Sequence, residues 1–195
     1  FTTTNPTGAT GIIGGYATYA GVDWATTTGT GPWTVAAYPA GSYTAGLPAS
    51  GAIATGNYLS TAATTATTAP QTVNTLKLSG AQTITLGGTL TLTAGGLLFD
   101  NSTGAAVIQS SSPLFTLGAV GAETVVIVNG SSSANALTVS APIGGGSGTL
   151  VKAGAGLLVL SGANSFTGNT TINQGTLQLS GANASLGSIT TATNT

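Results

Sequence analysis

Five side chains carry all the formal charge of this 195-residue chain: Asp23, Lys77, Asp100, Glu123 and Lys152. Acid–base chemistry would have to come from them, because the sequence has no His to titrate near neutral pH, no Cys to act as thiolate or metal ligand, and no Arg. Sugar-cleaving sites need paired carboxylates, or a base with Lys or Arg beside a metal. Asp100 and Glu123 form the sole acidic pair beyond residue 70, so the expectation is a protein that is not an enzyme. The stretch FDNSTG at 99–104 offers Asp100 to calcium, but one carboxylate does not make a strong site, and it reads as a turn. GGGSG at 144–148 is not followed by GK[ST] and reads as a flexible corner rather than a phosphate loop. No catalytic, cofactor-binding or metal-binding residue is assigned.

Binding chemistry has better material. All Trp and Tyr residues fall between Tyr16 and Tyr58, and Trp24, Trp33, Tyr38 and Tyr43 are candidate contacts for a partner or a glycan, since aromatic faces stack on sugars. The competing expectation is that they pack inside an N-terminal cap. Asn101, Asn129, Asn169 and Asn183 begin N-x-S/T sequons, which chance explains in a chain so rich in Ser and Thr. Charged residues make up 3% of the chain against about 25% in a typical soluble domain. With no basic patch, nucleic acid is excluded as a partner. The mean hydropathy is +0.39, yet no apolar run approaches the roughly 18 residues of a spanning helix. No transmembrane segment is expected.

The elements that must position these residues are strands. From about residue 71 the segments TLKLSGAQ, TITLGG, TLTLTAGG, LLVLSGAN and TLQLSGAN alternate aliphatic with polar or small residues, the period of a half-buried strand. Leu76, Leu78, Ile84, Leu86, Leu90, Leu92, Leu177 and Leu179 should point inward, and Lys77, Thr85, Thr91 and Gln178 to water. The 31 Gly would each cost about 1 kcal/mol inside a helix, so the fold class is all-β.

The phrase LSGAN occurs at 160–164 and again at 179–183, nineteen residues later. Repeats this short stack on their neighbours, which predicts a parallel β-helix, or β-solenoid, with coils of about 19–20 residues. Ser161 should then lie beside Ser180, Gly162 beside Gly181 and Asn164 beside Asn183, as a repeated corner with left-handed backbone and an Asn ladder. Lys152 resists the scheme: parity sets it on the side of Leu150, so a corner or bulge beginning near Val151, or a snorkelling stem, is needed. Residues 1–70 read as an N-terminal cap, irregular first coils or a subunit-contact region, with 60–70 a connection or edge strand. Residues 71–195 read as the solenoid, clearest at 148–183.

The stretch GTLVKAGAGLLVLSGANSFTGNTTINQGTLQLSGAN, 148–183, resembles the autotransporter-associated β-strand repeat of bacterial passenger regions and surface proteins. Its features are the strand with Leu150 and Lys152, Gly154 and Gly156, Leu158 and Leu160 in LxLSGAN, Phe166 before Thr167 and Gly168, TTIN at 170–173, and Leu177 and Leu179 in GTLQL. The resemblance implies a right-handed parallel β-helix, export and an extracellular or cell-surface location, with no catalytic residues. The expected role is a structural element of the bacterial exterior, associating end to end with copies of itself or with further repeats of a longer chain. The alternative is an adhesin or passenger module binding carbohydrate or host surface, and a polysaccharide-active β-helix enzyme is the minor one. End-to-end association could use stacked coils or donation of the segment 7–19 as a strand.

Overall fold

The structure, a computed structural model, describes residues 11–29, 33–100, 103–110, 112, 115–116, 123–129, 133–144, 146–182, 184–186 and 189–191. Three short strands come first, β1 (Thr18–Tyr19), β2 (Asp23–Thr28) and β3 (Thr34–Ala37), paired antiparallel in that order. The chain then runs through β4 (Thr44–Ala45), β5 (Asn57–Ser60), β6 (Thr64–Ala66), β7 (Gln71–Leu78), β8 (Gln82–Thr85), β9 (Leu90–Phe99), β10 (Ala106–Gln109) and β11 (Phe115–Thr116). It continues with β12 (Glu123–Val128), β13 (Leu137–Val139), β14 (Ile143–Gly144), β15 (Thr149–Ala153), β16 (Leu157–Leu160), β17 (Thr170–Ile172), β18 (Thr176–Leu179) and β19 (Ile189–Thr191). Helix is confined, among the described residues, to 3-10 turns at Ala40–Ser42 and Ser133–Asn135.

From β4 onward every pairing is parallel. One sheet orders its strands β4-β5-β7-β9-β12-β15-β17-β19, with β11 and β14 alongside, and the other orders them β6-β8-β10-β13-β16-β18. From β5 to β10 the chain enters the two sheets alternately, and each strand pairs with the strand one circuit earlier. The segment 60–70 supplies β6, the edge strand of the smaller sheet.

Circuit length is not uniform. Leu158 pairs with Leu177, nineteen residues on, and Leu150 with Thr170, twenty on, as expected near the repeat. The first circuits are as short, with Asn57 pairing with Thr75 and Thr64 with Thr83, but the middle ones are longer: Leu97 pairs with Val126 and Ala106 with Leu137. The physical reason is that ladder pairing constrains the strands, whereas connections absorb extra residues at an entropic cost that grows only slowly with length.

Leu76, Leu78, Ile84, Leu86, Leu90 and Leu92 are buried, together with Leu97, Phe99, Val126, Leu150 and Leu160, in one core fed by both sheets. Two inward expectations are corrected. Leu177 is only partly buried and Leu179 is 43% exposed, because β18 is the outermost strand of its sheet and nothing among the described residues stacks above it. Thr85 and Gln178 are exposed and Thr91 half-buried. Lys77 does not face water and is buried. It points out of the main core as its parity demands, but the outer face of the larger sheet is covered there.

The cover is the N-terminal segment. Ile12, Trp24 and Tyr43 pack with Leu98, Val125, Ile127 and Val151, the outward-facing aliphatics of β9, β12 and β15. Gly15 and Gly96 make the close approach possible: a Cβ on Gly15 would lie 2.3 Å from the Ala94 carbonyl oxygen, and one on Gly96 would lie 2.6 Å from Gly15 Cα. The Nδ2 of Asn129 donates to the Gly21 carbonyl and fastens the β1–β2 turn to the end of β12. Residues 11–19, within the segment considered for strand donation, thus lie on their own chain, with the Ile13 N–H donating to Ala25 O at 2.9 Å.

Candidate functional site: a polar seam and a repeated corner

Polar chemistry gathers in two places. The first is the seam between the N-terminal strands and the larger sheet. Lys77 on β7 and Asp100, which follows β9, project from the same outer face, because Lys77 pairs with Leu98 and Asp100 lies two residues beyond it. Asp23, the first residue of β2, is carried over them by the packing of Trp24, which is fully buried. Lys77 Nζ lies 2.5 Å from Asp23 Oδ1 and 3.6 Å from Asp100 Oδ2. Side-chain exposure is 9% for Lys77, 28% for Asp23 and 11% for Asp100.

Tyr43 completes the seam. Its hydroxyl donates to Asp23 Oδ1 at 3.2 Å and accepts from the Trp24 backbone N–H at 3.4 Å. Its ring centroid lies 5.6 Å from Lys77 Nζ, and Tyr38 meets it edge to face at 4.9 Å. Burial pushes the Tyr43 phenol well above its usual range; the Trp24 N–H opposes this and the neighbouring Asp23 charge adds to it. Three of the five charged residues are thus spent on one contact.

The second place is the repeat. Lys152 is fully buried with no bulge, its register unbroken against Val126 on one side and Ile172 on the other. The stem lies in the inward ladder and the ammonium reaches the corner beyond β15. There Nζ donates to the carbonyls of Ala153 at 2.7 Å, Gly154 at 2.6 Å and Gln174 at 3.1 Å. The snorkelling alternative describes the stem, but its head ends on main-chain oxygens of two successive circuits rather than in water. Burial lowers the Lys152 amine to about 8, while three carbonyl acceptors favour the protonated form.

At the start of the LSGAN corner, main-chain hydrogen bonds join successive circuits. The Ser180 N–H donates to Leu160 O at 2.9 Å and the Ser161 N–H to Val139 O at 3.0 Å. Neither Gly162 nor Gly181 adopts a positive φ; the left-handed glycines of this region are Gly154 and Gly175. Gly162 and Gly181 are needed for closeness, since a Cβ on either would come within 2.7 Å of a carbonyl oxygen, that of Ala141 or Ser161, in the circuit below. Asn164 forms no side-chain ladder among the described residues. Its Oδ1 accepts from the Ile143 N–H at 3.0 Å and its Nδ2 donates to Ser185 O at 3.1 Å, so one buried amide bridges three circuits. Asn183 lies outside the described residues. An amide pair does occur earlier, where Asn74 Nδ2 donates to Asn57 Oδ1 at 2.7 Å.

The four aromatic candidates do not share an exposed face. Trp24 is buried in the seam and Tyr43 nearly so, while Trp33 and Tyr38 are half-buried. Among the described residues the exposed aromatics are Tyr16 and Tyr19, at 65% and 45%. Composition had no means of separating these from the others. Glu123, exposed at the start of β12, lies six positions along the strand direction from Asp100, roughly 20 Å at about 3.3 Å per residue. Asp100 and Glu123 therefore do not form a carboxylate pair. The sequon residue Asn129 commits its amide to Gly21, Asn169 is exposed, and Asn101 lies outside the described residues. Thr85, Gln109, Ser110 and Ser140 line a shallow depression on the smaller sheet.

Parallel rungs stacked through closely approaching Gly corners are the architecture of a repeat protein. Residues 150–179 match the family model of the passenger-associated-transport-repeat, so this stretch is similar to an autotransporter passenger repeat. It spans β15 to β18, including Lys152 and the first LSGAN corner. No curated protein and no solved structure matches the chain. No helix among the described residues is long and apolar enough to cross a membrane.

Proposed function

We propose that the chain is a non-enzymatic structural element of the bacterial exterior: a rigid, closed, right-handed β-helix that associates end to end. The passenger repeat at 150–179 suggests an exported, surface-associated protein. The observation that carries the self-association is the state of the outermost rung. Leu160 is 1% exposed, whereas Leu179, its partner on β18, is 43% exposed at an equivalent inward position. A further rung placed there would bury it and pair the edge of β18 that no described strand covers, and edges with unpaired N–H and C=O groups recruit strands unless charge or Pro blocks them. Thr176–Leu179 contains neither.

Negative-stain electron microscopy of the uncross-linked protein, with sedimentation velocity in parallel, tests the reading. Wild type should give regular filaments, and Leu179→Asp should give single short rods with unchanged circular dichroism. Isolated rods from wild type at high concentration would overturn self-association. A second reading, surface adhesion, is favoured by the exposed Tyr16 and Tyr19 rather than by Trp24, and a glycan array in which Tyr16→Ala and Tyr19→Ala change nothing would remove it.

A further inference from the structure

We propose that Lys77 and Asp23 condense to an intramolecular amide, with Asp100 as the group that moves the protons. The inference is independent of the end-to-end reading. It rests on three ionisable side chains from strands distant in sequence that converge under an aromatic cover, with Nζ of Lys77 at 2.5 Å from Asp23 Oδ1 and 3.6 Å from Asp100 Oδ2. An amine is a competent nucleophile toward a carboxyl carbon once it is desolvated and held against it.

Each neighbour has a part in that geometry. Asp23 is the nearer carboxylate and is fixed by the Tyr43 hydroxyl, which donates to the oxygen Lys77 approaches. This hydrogen bond draws electron density from the Asp23 carboxyl and raises the electrophilicity of its carbon. Asp100, the more buried carboxylate at 11% exposure, takes a proton from the ammonium and returns it to the departing oxygen. The Tyr43 ring over Nζ and the buried Trp24 beside Asp23 keep bulk water from the pair.

The balance is simple. The ammonium of Lys77 gives up two of its three protons, the Asp23 carboxylate loses one oxygen, and these leave as one water while an N–C bond replaces a C–O bond. A positive and a negative charge are consumed together, and no oxidant or cofactor is required. In free solution such a condensation does not proceed usefully, but groups held in reacting position attain effective concentrations of about 10⁵ M or more, which favours the joined form. Asp23 keeps 28% exposure, which gives the product water a way out.

Intact mass spectrometry of the folded full chain, denatured just before injection, is the test. Wild type should be lighter than its sequence mass by one water, and a chymotryptic digest should contain one branched peptide joining Asp23 to Lys77. Lys77→Arg and Asp23→Ala should both have the full sequence mass. Asp100→Asn should also have the full mass while its circular dichroism and tryptophan emission match wild type, which separates proton transfer from folding. Folded, aged wild type at the full mass would overturn the proposal without recourse to any variant. Loss of water persisting in Asp100→Asn would overturn the part given to Asp100.

Discussion

At the scale of residues, charge in this protein is scarce, and both lysines are placed inside. Lys152 illustrates what that does. Its amine is lowered to about 8 when folded against a usual 10.5, so between those values the unfolded chain holds more proton than the folded one. Stability must therefore rise with pH across that window, the burial cost being fully present below pH 8 and relieved by pH 10.5. Tyr43 acts in the opposite sense above pH 10, because its phenol is kept neutral only in the folded state. Urea midpoints measured from pH 7 upward should climb between pH 8 and pH 10 in wild type, and Lys152→Met should abolish the climb. A flat wild-type profile would mean that the three carbonyls offset burial completely. Parity alone places Lys152 inward, but no local pattern names its acceptors, since the Gln174 carbonyl belongs to the next circuit.

At the scale of elements, the rungs depend on one another. Leu160 is enclosed by the core and pairs with Val139 below and Leu179 above. Leu160→Asp buries an unpaired carboxylate in place of an apolar side chain, a change of about 3 to 5 kcal/mol, and should lower Tm by on the order of 10 °C. An unchanged thermal transition would contradict the stacking. The strands themselves are legible in the sequence because one face of each is buried by the core, so Leu76, Ile84 and Leu92 stand out by alternation alone. Lys77 is misread by the same rule. Alternation reports that a residue leaves the core, and carries no sign that a segment more than fifty positions earlier will lie over the face it enters. The corner is legible as a repeat but not as a mechanism: Gly162 and Gly181 look like turn glycines, whereas their need is proximity to the circuit beneath, a relation between rungs that no single stretch encodes.

At the scale of the whole molecule, the parallel ladders make the backbone a poor substrate. Trypsin has two possible cleavage positions, after Lys77 and after Lys152. Both lie within paired strands, and both residues are buried, at 7% and 0% exposure. Cleavage needs an extended segment released from its sheet, so digestion should proceed at the rate of sub-global opening rather than of enzyme encounter. Gel analysis over a day at native pH should show the intact chain, and rapid loss would place β7 or β15 among the least stable parts of the fold.

The same burial has a practical side for anyone handling the protein. Dye esters, aldehyde fixatives and amine-coupled sensor chips all need an accessible primary amine, and the described fold presents no lysine head to them. Labelling stoichiometry at side chains should be close to zero until the chain unfolds, which turns a routine coupling reagent into a reporter of rung opening. Immobilisation calls for a handle introduced on a water-facing strand position such as Thr85 or Gln178, where the ladder leaves room for one.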